Sequence, residues 1–519
     1  TEKVDSLLEG SSSAPLVRMV VTASSVPDLS PMSTTRTSSP TSILRLGHAQ
    51  GDITPPVGIY HRMWGAARHD RSTGVHRPLL ADVLLLEPPS TTVADPAQRI
   101  VRIQLDHVLL TNQHIDEIVA GIPAITGVSR DRILVTFSHS HSAGVLLPDR
   151  IPLPGGELIE SYMVFLRKVL EDLAHIAIDD LDDAVISYAR GRCDMAANRD
   201  YRDTEHDIYA TGYNPDAAAE DLVIAGRVLD KEGAPRLHIV HYGCHPTTLA
   251  WDNTLLSPDF VGALRETVSA ATGTPCVYFQ APCGDLGPKD GFTGNVDVAD
   301  RNGRQVGFAA LSALASLGPA GHDFAYAGPV VSGATIGTWN WVRFDDTRQS
   351  LAQRWACAPG QVDLAYKELP DPDVLTADLE HLTQEQNAAD AAGDTITARD
   401  AAARAERCRR WLRRLAELPQ GDGFPYRFFV VEAGDAVWIT CGAEPYSWLA
   451  SELRRRFPTK TILLSPVAGD TQVAYLLTRD RYGAGLYQEE PSCLRPGCLE
   501  QVLEAMTDAV ATVTGVRPE

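Results

Sequence analysis

Short apolar runs rich in Val, Ile and Leu alternate with stretches of helical periodicity from about residue 44 to residue 345. Runs of this length are typical of buried strands. Their alternation with helices predicts an α/β fold layered around largely buried sheets. The predicted strands are ADVLLLE (81–87), RIVRIQLD (99–106), RILVTFS (132–138), LHIVHYG (237–243), CVYFQ (276–280), AVWIT (436–440) and TILLS (461–465).

A second pattern, rich in Ala, Glu, Arg and Leu, covers residues 374–418. This composition favours two helices with a break near Gly393 and Asp394. We therefore expect residues 345–425 to form a largely helical insertion whose charged residues make a solvated face. A helix pair that binds a partner is one alternative, and a lid over a substrate crevice is another.

Residues 1–43 differ from the rest of the chain because Ser, Thr and Pro dominate, as in SSSAP and STTRTSSPTS. Too few apolar residues recur there to offset the entropy that ordering would remove. This segment is predicted to be a disordered leader, and the folded domain is predicted to occupy residues 44–515.

Composition narrows the classes of function. The chain has 519 residues, of which 44% are hydrophobic and 22% charged, as in globular proteins. A formal net charge of −21 disfavours nucleic acid as a partner. The nine scattered cysteines argue against a disulfide scaffold. No transmembrane segment and no signal core stand out, so we expect a cytoplasmic protein, with room for a homo-oligomer.

Polar side chains follow the predicted strands at their carboxyl ends, where open α/β sheets bind ligands. Two of them are histidines two positions apart, which in extended backbone point to the same side. Each side chain alone could cap a helix or form a turn, but together they favour metal or acid–base chemistry. They are His139 and His141 in TFSHSHSAG, His245 in GCHPTT, Glu444 in CGAEPYSW, Asp106 after RIVRIQL and Asp285 after CVYFQ.

Seven ordered blocks resemble the neutral/alkaline (non-lysosomal) ceramidase family across about residues 45–515. The resemblance implies that family's catalytic domain, an α/β fold with several layers and mixed sheets, here with the helical insertion. FSHSHSAG is similar to the family's ATHTHSGPG signature. The other blocks are GHAQGDITPPVG (47–58), TGVHRPLLADVLLLE (73–87), NRDYRD (198–203), HYGCHPTTL, GAEPY and VAYLLTRDRYGAGLYQEE (473–490).

The resemblance also implies a zinc hydrolase in which metal-activated water cleaves a carbon–nitrogen amide bond. Its zinc ligands would be His139, His245, Glu444 and Tyr475, a mixed set of nitrogen and oxygen donors that suits zinc. In this scheme His141 moves protons, while Arg199 and Tyr487 stabilise the oxyanion. Ordinary core packing of the tyrosines and a surface salt bridge of Arg199 are the structural alternatives. His76 is a further candidate that rests on its family block.

This sequence departs from the family pattern at one site residue. The family carries a serine in its GDVSP block, whereas this chain has Gly287 in GDLGP. A turn that needs a positive φ would be a purely structural reason for that glycine. The family's secretion signal and C-terminal immunoglobulin-like domain are also not recognised, which leads us to expect the catalytic domain alone.

These departures lead us to expect a soluble N-acyl small molecule as the substrate instead of ceramide. Three alternatives stay open: an ester or lactone hydrolase with the same zinc site, ceramide hydrolysis, and a catalytically silent zinc-containing binding protein. Substrate turnover together with metal analysis would separate them.

Overall fold

The computed structural model describes residues 35–90 and 95–519. Its helices are α1 (Asn112–Val119), α2 (Ile122–Thr126), α3 (Ile159–Asp179), α4 (Phe260–Thr272), α5 (Val296–Ala315), α6 (Asp346–Ala352), α7 (Pro372–Ala392), α8 (Thr395–Glu417), α9 (Trp448–Arg456) and α10 (Cys498–Thr514).

The strands include every apolar run singled out in the sequence. They are β1 (Arg36–Ser38), β2 (Thr41–Asp52), β3 (Gly74–Val75), β4 (Leu80–Glu87), β5 (Ile100–Leu105), β6 (Ile133–Phe137), β7 (Asp182–Arg192), β8 (Ala196–Asn198), β9 (Asp200–Asp203), β10 (Ile208–Thr211), β11 (Leu222–Asp230), β12 (Pro235–Tyr242), β13 (Leu255–Leu256), β14 (Cys276–Gln280), β15 (Leu286–Pro288), β16 (His322–Ser332), β17 (Ala334–Arg343), β18 (Trp355–Ala365), β19 (Gly423–Ala433), β20 (Ala436–Cys441), β21 (Glu444–Pro445), β22 (Thr461–Ser465) and β23 (Tyr475–Leu476).

Two mixed sheets form the centre of the molecule. The larger sheet has eight strands in the order β14-β12-β11-β7-β2-β4-β5-β6, and the smaller has four in the order β18-β19-β20-β22. Parallel pairing occurs at β12–β14, at β5–β6 and at β20–β22, and the other pairs in these two sheets are antiparallel. The predicted α/β class with mixed sheets is confirmed.

The two sheets pack face to face, and helices cover their outer faces. Side chains of both sheets share one buried cluster, in which Leu46 and Ile239 of the larger sheet join Val431 and Leu463 of the smaller. The helices α1 to α5 cover the opposite face of the larger sheet, and α9 and α10 cover that of the smaller. The result is a four-layer α/β/β/α arrangement, which agrees with the expected multilayer fold.

The insertion has the two helices expected from its composition, together with a strand. Asp371 caps α7 by accepting hydrogen bonds from two backbone N–H groups, as its position before Pro372 favours. The hairpin turns at Gly393, which has a φ of 74°, and Asp394 then caps α8. The strand β18 of the smaller sheet lies within residues 345–425, so the insertion is joined to the core and is not wholly helical.

The predicted leader falls largely outside the described residues, since it covers residues 1–43. Within its last part, Arg36–Ser38 forms β1, which pairs with β16, and β2 begins at Thr41, before the expected domain start at residue 44. In the described ranges no helix has the length and apolar character needed to cross a membrane. All nine cysteines are free thiols, as expected.

Candidate active site

His139 stands two residues beyond the end of β6, in a backbone conformation that non-glycine residues rarely adopt. Its φ is 67°, so the two histidines of this loop do not come together by the alternation of an extended strand, as the sequence interpretation assumed. The His139 Nδ1 atom lies 2.7 Å from the carbonyl oxygen of Val108. Because a carbonyl can only accept, Nδ1 carries the proton, and Nε2 is buried without a hydrogen-bonding partner.

His245 follows β12 and repeats this arrangement. Its Nδ1 atom donates to the carbonyl oxygen of Cys283 at 2.7 Å, which fixes the ring and directs Nε2 toward the ring of His139, 4.9 Å away between centroids. A backbone carbonyl that orients an imidazole in this way is typical of metal-binding histidines. Both rings thus direct Nε2 into one shared space.

Glu444 and Tyr475 enter the same space from the other side. The Glu444 Oε2 atom lies 3.1 Å from Nε2 of His245 and 3.4 Å from Nε2 of His139. The Tyr475 hydroxyl lies 3.5 Å from Nε2 of His245. The residues before them, Ala443 and Ala474, have φ values of 57° and 59°. Left-handed backbone thus occurs at His139 and directly before Glu444 and Tyr475. Such strain is typical of functional sites.

This donor set fits a metal ion. If Nδ1 of both histidines carries the proton, their Nε2 lone pairs face a carboxylate oxygen at 3.1 and 3.4 Å, an arrangement that needs a proton or a cation between them. Ligand atoms about 2.1 Å from a tetrahedral ion lie about 3.4 Å apart. Burial acts to raise the pKa of Glu444, but His139 and His245 hold that pKa well below its usual value. Burial and the nearby Arg199 lower the pKa of His245 to about 4.

His141 completes a cluster of three imidazoles, whose ligand atoms all lie within 4.8 Å of one another. Its ring is 5.0 Å from that of His139 and 5.7 Å from that of His245. Unlike them, His141 has no carbonyl that orients it, and its Nε2 has no partner in the described part of the chain. Burial, followed by the two neighbouring imidazoles, lowers its pKa well below the usual value. The structure therefore places His141 in the cluster without the carbonyl contact that fixes the other two rings.

Arg199 and Tyr487 lie at the same site. The Arg199 guanidinium donates from Nε and Nη2 to the carbonyl oxygen of Gly284 at 3.1 and 2.7 Å, and it stacks 5.4 Å from the ring centroid of Tyr475. It is buried, so the surface salt bridge considered from sequence is not its role. Tyr487 is 48% exposed, and its ring lies 5.9 Å from that of Tyr475. The structure therefore brings both candidate oxyanion donors to the histidine cluster.

Asp285 and Gly287 belong to the loop and short strand β15 behind these groups. Asp285 accepts hydrogen bonds from the backbone N–H and the hydroxyl of Ser447 at 2.6 and 2.7 Å, so it anchors the segment that follows Glu444. Burial raises the pKa of Asp285. Gly287 does not have a positive φ, and an added Cβ would meet only ordinary contacts, the nearest at 3.7 Å from Arg199. The turn explanation for this glycine is therefore wrong.

Two sequence candidates, Asp106 and His76, contact structural partners and not the histidine cluster. Asp106 is fully buried and pairs with Arg265, while its Oδ2 also accepts from the backbone of Leu80 at 2.9 Å. His76 Nδ1 lies 2.9 Å from the Ser257 hydroxyl, and burial lowers its pKa. These contacts hold loops and sheet together, which is the structural alternative for a polar residue at a strand end.

The cluster opens into a cavity of about 1200 Å³, some of whose walls the sequence interpretation missed. Near His141 the wall is aromatic: Trp64 lies 5.5 Å from the His141 ring, 6.2 Å from Trp251 and 5.7 Å from Phe292. These aromatics come from loops without periodicity. The lining also includes Arg410 and other residues of α8, whose RCRRWLRR run was interpreted as a solvated face and lies partly in the cavity instead.

Comparison with known proteins now bears on this fold. No protein-family model and no curated protein matches the sequence. Among solved structures, the chain is similar to the crystal structure of neutral ceramidase from Pseudomonas aeruginosa, with a TM-score of 0.60 and 16% identity over 93% of this chain and 76% of that one. A ceramidase complexed with C2 matches with a TM-score of 0.59 and 15% identity over 93% and 76% of the two chains.

The protein therefore has the fold of a neutral ceramidase, as the resemblance in its sequence implied. A structural likeness at 16% sequence identity shows the architecture alone, because one fold can carry unrelated chemistry.

Proposed function

We propose that this protein is a zinc-dependent hydrolase that cleaves the carbon–nitrogen amide bond of a soluble N-acyl small molecule with metal-activated water. The observation that carries the proposal is the convergence of two Nε2 lone pairs, from His139 and His245, on the Glu444 carboxylate at 3.1–3.4 Å. The ceramidase fold, whose named neighbours act on amides of lipids, supports the choice of reaction.

In this proposal His139, His245, Glu444 and Tyr475 hold the zinc ion. When bound there, zinc supplies the Lewis acidity that makes water nucleophilic near neutral pH. The carbonyl contacts of the two histidines keep their donor atoms directed at one point, so little reorganisation is needed. The identity of the ion is part of the proposal, since a mixed set of nitrogen and oxygen donors suits zinc.

The remaining side chains have separate tasks. Arg199, fixed by Gly284, donates to the substrate oxygen that gains negative charge, and Tyr487 donates from the cavity side. His141 accepts a proton and delivers it to the departing amine nitrogen, because its Nε2 has no partner in the described part of the chain and its ring lies beside those of His139 and His245. The aromatic side chains around Trp64 pack beside His141 and limit the access of bulk water.

Three other functions are alternatives at the same site. Ester or lactone hydrolysis would use the same groups, because these reactions share the attack on a carbonyl carbon. Ceramide hydrolysis is suggested by the fold neighbours but would place a long-chain substrate in a cavity with several cationic side chains. A zinc-containing binding protein without activity is suggested by Gly287, where the family has a serine. A location in the cytoplasm and a homo-oligomeric state stay predictions.

The test is an untargeted screen of acyl amides, esters and lactones with the zinc-loaded wild type beside His139→Ala. We expect one class of amides to be turned over by the wild type and not by the variant. His76→Ala is the matched control, since that histidine contacts Ser257 and Asp300 and none of the proposed zinc ligands. A zinc-loaded wild type that turns over none of these compounds would favour the binding protein, and faster turnover of esters than of every amide would favour the esterase.

A further inference from the structure

The cavity has a charge balance opposite to that of the whole chain. The chain has a formal net charge of −21, yet the charged residues that line the cavity are five cationic and three anionic. The cationic residues are Arg199, Lys367, Arg407, Arg410 and Arg414, and the anionic ones are Glu406, Glu489 and Glu490.

The three carboxylates of the lining have other partners. Glu406 accepts hydrogen bonds from both terminal nitrogens of Arg150 at 2.9 and 2.6 Å and from Arg410 Nε at 2.9 Å. Glu490 accepts from Arg407 at 2.6 Å and from the Trp411 indole at 2.7 Å. The Glu489 carboxylate accepts from the backbone N–H groups of Gly483 and Gly485. None of them forms an ion pair with Lys367 or Arg414.

Lys367 and Arg414 are therefore left without a counter-ion in the described part of the chain. The Lys367 ammonium donates only to the carbonyl oxygens of Glu489 and Glu490, at 2.7 and 3.2 Å. Arg414 has no ion pair there, and its Nε is buried without a hydrogen-bonding partner. Burial lowers the pKa of both groups. Glu490 and Glu489 act to raise the pKa of Lys367 while Arg414 lowers it, and Arg413 and Arg410 lower the pKa of Arg414.

Both cations lie near one aromatic ring. Lys367 Nζ is 5.7 Å and the Arg414 guanidinium 5.4 Å from the ring centroid of Trp411. Two like charges close together at a partly desolvated site destabilise the folded protein unless an anion joins them. Tyr487, which lines the same cavity, contacts Tyr475 at the histidine cluster. The cation pair and the cluster thus belong to one continuous cavity.

We propose that Lys367 and Arg414 bind the carboxylate of the substrate, so that the substrates are amides with a negatively charged group remote from the scissile bond. This inference rests on the proposed function for the reaction, but the anion subsite exists independently of it. The aromatic wall around Trp64 would receive the apolar portion of the same molecule. A neutral two-chain lipid offers no group for the cationic pair, whereas an N-acyl amino acid does.

Binding to metal-stripped protein tests the subsite without any turnover. Without the metal, the carboxylate of the probe cannot bind to zinc instead of to the subsite. Isothermal titration with 4-phenylbutyrate and with the neutral 4-phenylbutanol should show that the acid binds at least about tenfold more tightly, the size expected of charge-assisted hydrogen bonds. The double substitution Lys367→Met with Arg414→Gln should bring the two affinities to near equality. Arg404→Gln is the control on the same helix, because Arg404 pairs with Glu385 outside the cavity.

Circular dichroism and thermal unfolding establish that each variant is folded, and the two single variants should each lose part of the preference. Equal affinity for acid and alcohol in the wild type, or a preference that survives the double substitution, would overturn the proposal. In the turnover screen, an N-acyl-β-alanine should be hydrolysed faster than the matched N-acyl-propylamine. Equal turnover of the two would refute the anion subsite and leave the amide hydrolase standing, while a binding preference without turnover would do the reverse.

Discussion

Glu444 and Tyr475 are register partners in a pair of parallel strands only two residues long. Backbone hydrogen bonds on both sides of the pair, from Glu444 N to Ala474 O at 2.8 Å and from Tyr446 N to Leu476 O at 3.0 Å, fix their relative height. Each is preceded by an alanine in a left-handed conformation, which costs about 1–3 kcal/mol at each position. The rest of the fold therefore stabilises a backbone that presents both side chains to the two histidines.

The first prediction concerns metal binding by His139, His245, Glu444 and Tyr475. The wild type should retain about one zinc ion per chain after dialysis, and His139→Ala and His245→Ala should lose it, because each removes an oriented donor. Glu444→Gln should lower the affinity at least about tenfold, and Tyr475→Phe should lower it less. Elemental analysis and the zinc-dependent rise in Tm are the measurements. Full zinc occupancy in a His139→Ala, His245→Ala double variant would contradict the assignment, and His76→Ala should behave as wild type.

The second prediction separates two roles for His141, which belongs to the three-imidazole cluster but lacks an orienting carbonyl. As a proton carrier, His141→Gln should keep its zinc and lower kcat/KM for an amide by about 10²–10⁴-fold. A matched ester should suffer less, because its leaving group needs less protonation. Steady-state kinetics on such a pair is the measurement. Equal losses on amide and ester would contradict proton delivery by His141, and loss of zinc would show that it acts as a ligand instead.

The strands, and His139, His245 and Glu444 as candidates at strand ends, could be predicted because they follow from local rules. Tyr475 was implied only by the resemblance to the ceramidase family. Apolar runs of strand length are buried, and chemistry collects where strands end. The same rule could not separate His245 from Asp106, since both follow buried strands and only tertiary packing places Arg265 against the aspartate. Position in the chain alone does not distinguish a ligand from a structural ion pair.

The arginines that α8 contributes to the cavity could not be predicted for a different reason. The position of α8 depends on Glu406 meeting Arg150, which lies 256 residues earlier in the chain. Nothing in the RCRRWLRR run shows which of its arginines point outward, because its periodicity indicates a helix but not the neighbour of each face. The left-handed backbone at His139 could likewise not be predicted, since the sequence does not show which residue of the loop adopts it.

The third prediction compares two glycines of one loop. A Cβ at position 284 would lie 2.7 Å from the Glu444 carbonyl oxygen, whereas at position 287 the nearest contact is 3.7 Å. Gly284→Ala should therefore destabilise the fold by about 1–3 kcal/mol and weaken zinc binding by displacing Glu444. Gly287→Ser should change stability by about 0.5 kcal/mol or less and retain zinc. Urea denaturation and zinc titration of both variants test this, and a reversed order of stability would contradict the geometry.

The fourth prediction concerns the attachment of α8 and its dependence on pH. Burial acts to raise the pKa of Glu406, but Arg150 and Arg410 lower it from a usual 4.5 to about 2. A depressed carboxyl pKa stabilises the fold above the unfolded-state value, and this contribution is lost as the pH falls through the folded-state value. A shift of this size is equivalent to about 3 kcal/mol. Glu406→Gln should therefore reduce the free energy of unfolding at pH 7 by a few kcal/mol.

The difference between wild type and Glu406→Gln should shrink as the pH is lowered from about 4.5 toward 2, because the wild-type carboxylate then takes up its proton. Urea denaturation at several pH values, followed by tryptophan fluorescence, measures it. Glu385→Gln is the control, since Glu385 forms an exposed pair with Arg404 that should contribute about 0.5 kcal/mol or less. A difference that stays constant down to pH 3 would mean that packing, and not the charge of Glu406, holds α8 against the cavity.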